Sequence, residues 1–365
     1  MLPAIVRSRG AKQPLFIRLI GYAAIGFAVF GCFLQQAAAQ TDEIPAVSVS
    51  YDLHSGFYSG DGQDFRLVYS EEIKVDRAPW MRLQFGSFNL GRNSFLSITS
   101  LEDGGTQKLT TENLKQWNNV SAFFNGDAVR ISIHVAPSDE NVFFEVIGVM
   151  SGVPNAGGMR DTCDFDDRVP STDGAVGRII YRLSSDPPDI IHLCTGWIFS
   201  NGSYITAGHC LIEPAISAIL EFNVPPSSSS GSINYADPDD QYSINRPSVE
   251  FHNDGESESG DDWAVFACYR NSNTGLLPVE AQEEFARGVL SVTPANARVT
   301  GYGEDQAERS YTLQTDAGSF LGMTVEGPSD VILEYLVDTE GGNSGGPIYH
   351  GEVAHYAIGV HKRRM

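Results

Sequence analysis

The 365-residue chain has few basic residues, with 24 Lys and Arg against 46 Asp and Glu, which gives a formal net charge of −22 at pH 7. It also lacks basic runs interleaved with aromatic residues, and its basic stretch at residues 362–364 is short. Long-range electrostatics therefore does not draw this chain to nucleic acid or to an anionic membrane surface. The charge balance indicates a soluble, self-repelling protein with no nucleic acid partner.

The apolar run near the N-terminus is too short to cross a membrane. It extends from Leu19 to Leu34, whereas a spanning helix needs about 20 apolar residues. A basic segment without acids precedes it, and the small residues Ala37, Ala38 and Ala39 follow. This pattern predicts a secretory signal peptide at residues 1–39, cut near Ala39, and thus an extracellular or periplasmic protein that leaves the membrane after cleavage. An uncleaved anchor is the alternative.

Cysteines are scarce, and none of the five forms a Cys-x-x-Cys pair, which disfavours a zinc site. Removal of the signal peptide takes Cys32 and leaves Cys163, Cys194, Cys210 and Cys268. An even number in an exported chain favours disulfides, and three pairings are open. Acidic clusters at 237–240 and 256–261 have the oxygens for calcium but not the regular spacing of a calcium loop, so we expect solvated surface, no metal and no cofactor.

Helical periodicity is weak throughout, and period-two alternation of apolar and polar residues is common. Residues 44–150 carry such runs, separated by Gly- and Asp-rich turns, and predict a β-sandwich that serves as an accessory domain, pro-domain or binding module. The runs are Val47–Tyr51, Phe95–Ile98, Val129–Val135 and Val142–Ile147. Residues 151–175 are predicted to be a linker, and 176–365 a second domain rich in strands. Within it, the Pro- and Ser-rich stretch 224–250 predicts a solvated loop.

Three short motifs in the second domain have the residues of a nucleophilic active site. Ser344 is flanked by glycines in residues 341–347, which lets a substrate carbonyl approach the main chain closely. His209 ends the sequence Thr-Ala-Gly-His, and Asp262 precedes Trp-Ala-Val. A serine hydroxyl needs a neighbouring base, and the base needs a partner that fixes its tautomer.

The order His, Asp, Ser and the three motifs resemble the chymotrypsin-like (trypsin-fold) serine proteases over roughly residues 175–361, and are closest in pattern to secreted bacterial trypsin-like and glutamyl endopeptidases. The resemblance implies a double β-barrel and peptide-bond hydrolysis of protein or peptide substrates through an acyl-enzyme. A lipase or esterase is disfavoured, because its nucleophile would precede its acid and histidine in the chain.

The resemblance also implies the role of each site residue. His209 is the general base, Asp262 rather than the adjacent Asp261 orients it, and the N–H groups of Gly342 and Ser344 form the oxyanion hole. It further implies a Cys194–Cys210 disulfide, which leaves Cys163–Cys268 as the second pair.

One position departs from the family pattern. Many members have an aspartate before the serine that receives a new N-terminal ammonium after cleavage, and here this residue is Asn343. Another device must therefore order the oxyanion loop. For specificity, Asp338 lies where trypsin-type members bind Arg or Lys. Thr339 and His361 instead match glutamyl endopeptidases, and we expect cleavage after acidic residues.

The chain ends four residues after His361, whereas the family pattern continues for about thirty more. The resemblance therefore implies a second barrel with an unpaired edge and reduced activity. The leading hypothesis is a serine endopeptidase, and the alternative is a catalytically impaired homologue that acts as a protein-binding module. Oligomeric state is left open.

Overall fold

The computed structural model describes residues 42–153, 166–183, 190–211, 215–253, 261–289, 294–326, 330–351, 353 and 355–362. The predicted signal peptide and part of the predicted linker, including Cys163, lie outside them. Strands dominate the described residues, which confirms the all-β class. Their two α-helices are short: α1 Thr111–Gln116 and α2 Pro278–Gln282. No helix in these ranges is long and apolar enough to span a membrane.

Eight N-terminal strands form two stacked layers, which we call the N-terminal sandwich. One layer has the order β2-β7-β4-β5 and the other β1-β8-β3-β6. Alternate residues of both layers, such as Ile98, Ile131 and Val146, are fully buried between them, as the period-two pattern predicts. The strands are β1 Asp42–His54, β2 Arg66–Lys74, β3 Trp80–Asn89, β4 Phe95–Ser100, β5 Thr106–Leu109, β6 Phe124–Asn125, β7 Ala128–Val135 and β8 Phe143–Gly152.

The next sheet, which we call the first barrel, carries the histidine and aspartate motifs. Its strands follow the order β14-β13-β10-β11-β12-β16-β15. Main-chain bonds from Asn245 to Ala267 and from Tyr269 to Ser243 join β14 to the segment after β16, and so close the sheet. The strands are β10 Val176–Leu183, β11 Ile190–Ile198, β12 Tyr204–Thr206, β13 Ala215–Glu221, β14 Gln241–Ser243, β15 Glu250–Asn253 and β16 Asp262–Phe266.

A second sheet, the second barrel, carries the serine motif. Its order is β17-β22-β21-β18-β19-β20, and β9 pairs with β19. The serine loop lies between β20 and β21. The strands are β9 Val169–Pro170, β17 Arg287–Gly288, β18 Asn296–Gly301, β19 Gln314–Glu326, β20 Asp330–Tyr335, β21 Pro347–His350 and β22 Tyr356–Val360.

The N-terminal sandwich and the first barrel share one continuous sheet through β1. Residues 42–45 of β1 pair with β11, and residues 46–54 pair with β8. The apolar core is also shared, since Ile180, Ile191 and Ile219 of the barrel join the same cluster as Trp80 of the sandwich. The sequence did not indicate this shared sheet and core.

Part of stretch 224–250 is buried, so the predicted solvated loop is wrong there. Ile233 and Tyr235 belong to the shared core, and the Tyr235 ring stacks on Phe123 at 4.2 Å. The buried Glu221 carboxylate accepts the Ala236 N–H at 3.0 Å and pairs with Arg178 at 2.6 Å. These contacts fix a loop whose composition alone suggests solvation.

Candidate active site

Antiparallel pairing of β12 with β16 brings the histidine and aspartate motifs together. Thr206 pairs with Ala264, so the turn after β12 lies beside the first residue of β16. His209 occupies that turn, the 3₁₀ segment Gly208–Cys210. Both oxygens of Asp262 contact it: Oδ2 lies 2.6 Å from Nδ1, and Oδ1 accepts the His209 main-chain N–H at 2.8 Å. This two-point contact orients the imidazole ring and leaves Nε2 on the opposite side.

The neighbouring Asp261 is directed elsewhere. Its carboxylate lies 3.2 Å from Nδ1 of His252 and accepts the indole N–H of Trp263 at 2.8 Å. Asp262 is buried, and burial alone would raise its pKa, but hydrogen bonds from His209 and their charge interaction hold the pKa below its ordinary value. A carboxylate that stays ionised can stabilise an imidazolium.

Ser344 is fully buried at the centre of the serine loop. Its Oγ donates to the carbonyl of Lys362 at 3.0 Å, and its own carbonyl accepts the Thr195 N–H of β11 at 2.8 Å. Nε2 of His209 has no hydrogen-bond partner among the described residues. His209 Nε2 and Ser344 Oγ are therefore not hydrogen-bonded to each other.

The loop presents two main-chain donors next to the serine. Gly342 has φ +94°, in the region that favours glycine. The Thr195 hydroxyl donates to the Gly342 carbonyl at 2.9 Å and fixes that peptide. Within the described ranges, the N–H groups of Gly342 and Ser344 donate to no protein acceptor. Both are available to a developing oxyanion.

The Cys194–Cys210 disulfide that the resemblance implies is present and joins β11 to the residue after His209. Cys268 is buried and forms no disulfide within the described residues. Its expected partner, Cys163, lies outside them, so that pairing stays a prediction.

Arg168 lies beneath the serine loop, a position that sequence reasoning missed. Its guanidinium is buried, makes a bidentate contact with Asp166 and donates to the carbonyl of Glu304 at 2.7 Å. The Glu304 N–H in turn donates to Gly341 of the serine loop at 2.7 Å. The only sequence signal was a basic residue directly after two acids in a predicted linker.

Asn343 points to the same place as Arg168. Both Nη1 of Arg168 and Nδ2 of Asn343 lie against Cα of Gly303, where an added methyl group would clash with each. Both nitrogens are buried, and neither has a hydrogen-bond partner in the described part of the chain. The positive charge near the serine loop is therefore that of the Arg168 side chain. Asn343, the residue before Ser344, is neutral.

Of the three expected specificity residues, two are deeply buried. Nδ1 of His361 lies 2.6 Å from the hydroxyl of Tyr335, and burial, with a contribution from His209, lowers the pKa of His361 to about 3. Thr339 is 2% exposed. Asp338 is half-buried, and its carboxylate accepts the N–H of Asp167 at 3.3 Å. Asp338 is thus hydrogen-bonded to the segment that precedes β9.

Among the described residues, three side-chain groups have the geometry to approach a metal ion. The first is Cys194, Cys210 and His209, but its sulfurs form the disulfide. The second already contains an ion pair, in which Nε2 of His355 lies 3.2 Å from Asp173 and 3.9 Å from Glu284. The third joins the carboxylates of Asp167, Asp316 and Asp338.

The solved structures to which this chain is similar include three proteases. The thermostable serine protease AL20 from an extremophilic microorganism is 14% identical with a TM-score of 0.39, covering 52% of this chain and 83% of its own. The protease Anisep from Arthrobacter nicotinovorans is 16% identical with a TM-score of 0.38, at 52% and 83% coverage. A Glu endopeptidase in complex with MPD is 18% identical with a TM-score of 0.36, at 54% and 85% coverage. No curated protein matches the chain.

The sequence model of the Trypsin family matches residues 176–363, which is just over half of the chain. This range contains both barrels from β10 onward, together with His209, Asp262 and Ser344. The chain belongs to the trypsin family of serine proteases and has its chymotrypsin-like fold, preceded by a β-sandwich.

Proposed function

We propose that this protein is an exported serine endopeptidase that uses His209, Asp262 and Ser344 as its catalytic triad. The observation that carries the proposal is the two-point contact of Asp262 with His209, at 2.6 and 2.8 Å, beside a fully buried Ser344. A histidine held at Nδ1 by a buried carboxylate presents Nε2 as a base. In the family, that geometry serves acyl transfer.

The first chemical step needs Ser344 Oγ to leave the Lys362 carbonyl, to which it now donates, and to turn towards Nε2 of His209. Rotation about χ1 between staggered rotamers is the ordinary route for such a movement. Hydrogen bonds of this kind are often unformed in free enzymes and form with bound substrate. His209 then takes the Oγ proton as Oγ attacks the substrate carbonyl carbon.

The later steps use the same groups. The tetrahedral oxyanion accepts hydrogen bonds from the N–H groups of Gly342 and Ser344. Each such donor lowers the activation barrier by about 3–4 kcal/mol. The protonated His209 gives its proton to the leaving amine, and the peptide C–N bond breaks to leave the acyl group on Ser344. His209 then takes a proton from water as the water oxygen attacks the ester carbon, and it returns that proton to Ser344 Oγ as the C–Oγ bond breaks and the acid leaves.

For specificity we propose cleavage after acidic residues, with His361 and Thr339 lining the pocket. His361 is neutral at neutral pH, since its pKa is lowered to about 3. A neutral imidazole and a hydroxyl supply hydrogen-bond donors to a substrate carboxylate. Asp338 is engaged by the Asp167 main chain, which favours this proposal over recognition of Lys or Arg.

The test is a peptide panel that differs only at the residue before the scissile bond, with Glu, Lys or Phe there. Purified full-length protein should cleave the Glu peptide fastest, and Ser344→Ala should cleave none. Cleavage after Lys alone would reject the acidic specificity but keep the protease. No cleavage of any peptide by folded protein would favour the binding-module alternative.

Export and processing belong to the same proposal. The signal pattern predicts a mature N-terminus close to residue 40, after Ala39. N-terminal sequencing of protein recovered from the periplasm or medium of an expressing bacterium tests this. A chain that retains residues 1–39 in the membrane fraction would contradict it.

A further inference from the structure

Two arginines line one cavity where the N-terminal sandwich meets the first barrel, far from the serine loop in sequence. Arg82 lies on β3 and Arg182 on β10, and the cavity has a volume of about 160 Å³. A single water needs about 10–15 Å³ on such a measure. The space therefore exceeds that of one water about tenfold.

The described residues that line this cavity include no acidic side chain. Arg82 is 4% exposed, donates to the Ser121 carbonyl at 2.7 Å and to the Ser217 hydroxyl at 2.8 Å, and lies over the Phe123 ring. Nε of Arg182 is buried, and the described residues offer it no hydrogen-bond partner. Neither arginine has a carboxylate partner within the described ranges.

The other buried arginines of this chain differ in that respect. Arg178 pairs with Glu221 at 2.6 Å, and Arg168 pairs with Asp166 at 2.7 Å. Burial of a charge without a partner is costly, and a second cation nearby increases that cost. In accordance with this, burial lowers the pKa of Arg82 to about 9, with an opposing effect of Tyr235 and a smaller lowering effect of Arg182 included in that value. Within the described part of the chain, this pair therefore has no acidic partner.

We propose that the cavity binds a small tetrahedral oxyanion such as inorganic phosphate, held between Arg82 and Arg182. Two guanidinium groups offer paired N–H donors that match the oxygens of such an anion. Ser50, Gln84 and Asn118 line the same space and add neutral donors. The bound anion supplies the negative charge that the protein does not.

The site joins two parts of the molecule. Arg82 belongs to the sandwich, whereas Arg182 and Ser217 belong to the first barrel. An anion that binds only the folded protein stabilises it by RT ln(1 + [L]/Kd), so the stability rises with the anion concentration. Phosphate therefore strengthens the junction between the sandwich and the catalytic barrels.

The test is isothermal titration calorimetry of the full-length protein with the substitution Ser344→Ala, which prevents self-cleavage. Inorganic phosphate is the probe at constant ionic strength, with chloride as the compensating anion. We expect one saturable site per chain and a rise in melting temperature with phosphate that chloride does not produce. Sodium acetate is titrated in parallel to distinguish a tetrahedral anion from a carboxylate.

Arg182→Gln should weaken phosphate binding by about tenfold or more, the equivalent of about 1.4 kcal/mol. Arg130→Gln removes an exposed arginine, paired with Glu72 outside the cavity, and should bind as the parent does. Arg182 is partly exposed, so its variant keeps the test valid if Arg82→Gln does not fold. Absence of saturable phosphate binding, equal binding of acetate, or unchanged binding in Arg182→Gln would each overturn the proposal.

Discussion

Ser344 Oγ donates to the carbonyl of Lys362 at 3.0 Å, and not to His209. The acceptor follows His361, whose N–H donates to Gly346 at 2.8 Å while its carbonyl accepts the Gly345 N–H at 2.7 Å. The segment after β22 therefore supports the serine loop and also holds the Ser344 hydroxyl. In the proposed mechanism, turning Oγ to His209 exchanges one hydrogen bond for another.

The two adjacent aspartates should differ sharply in their effect on catalysis. Asp262→Asn should lower kcat by about 10⁴-fold, because an amide has no charge to stabilise the imidazolium and only one acceptor oxygen for the two His209 contacts, which favours the wrong His209 tautomer. Asp261→Asn is the matched control and should retain activity close to that of the parent, since its contacts are His252 and Trp263. Steady-state kinetics on a Glu peptide measures both. Equal losses in the two variants would contradict the assignment.

Gly342→Ala should damage the oxyanion hole. An alanine at φ +94° is strained, and relief of that strain moves the N–H away from the oxyanion. We expect a fall in kcat of about 10²–10³-fold, the range for loss of one such donor. Gly62→Ala is the control, since Gly62 has φ +90° in open space on the sandwich. A similar kcat for both variants would show that the effect is not local to the loop.

Arg168 should act as a positioning residue for the serine loop. Arg168→Gln removes the guanidinium that connects Asp166 to Glu304 and thereby to Gly341. We expect kcat to fall by about tenfold, or about 1.4 kcal/mol, with KM little changed. Arg270→Gln, which removes an exposed arginine paired with Glu280, is the control.

A purely structural role for Arg168 would give a different result. The variant would then have a lower melting temperature than the parent, while each folded molecule would keep the parent kcat. Normalising kcat to the concentration of titrated active sites separates the two outcomes. Restoration of kcat by Arg168→Lys, which keeps the positive charge, would support the positioning role.

His361 should make stability depend on pH. Its folded pKa of about 3 lies below the ordinary histidine value of about 6.5, so the unfolded chain binds a proton that the folded chain does not. The contribution of neutral His361 to the free energy of unfolding is fully present above pH 6.5. As the pH falls below that value, the free energy of unfolding decreases by about 1.4 kcal/mol per pH unit. The free energy of unfolding, measured with urea between pH 7 and 4, should change more steeply with pH for the parent than for His361→Gln. Parallel curves would contradict the burial of a neutral His361.

The sequence predicted what short motifs and local alternation encode. Strands β4, β7 and β8 follow their period-two runs, and the chymotrypsin-like fold follows from the motifs around His209, Asp262 and Ser344. The family pattern also favoured Asp262 over Asp261, and in the structure Asp262 contacts His209. These features depend on neighbours in the chain.

Features that depend on distant contacts could not be predicted. Stretch 224–250 looks solvated, and only Phe123, over a hundred positions away, shows that Tyr235 is buried. The role of β1 as a shared strand needs the register with both β8 and β11. Arg82 and Arg182 lie a hundred positions apart, and only the fold brings them to one cavity.

The most direct test of the account is covalent labelling of the full-length protein with a fluorophosphonate, followed by peptide mass spectrometry. A triad that activates its serine should give close to one label per chain, attached to Ser344, with labelling lost in His209→Ala and Ser344→Ala. Folded protein that takes no label at Ser344, or that labels equally well without His209, would contradict the assignment of His209 as the base that activates Ser344.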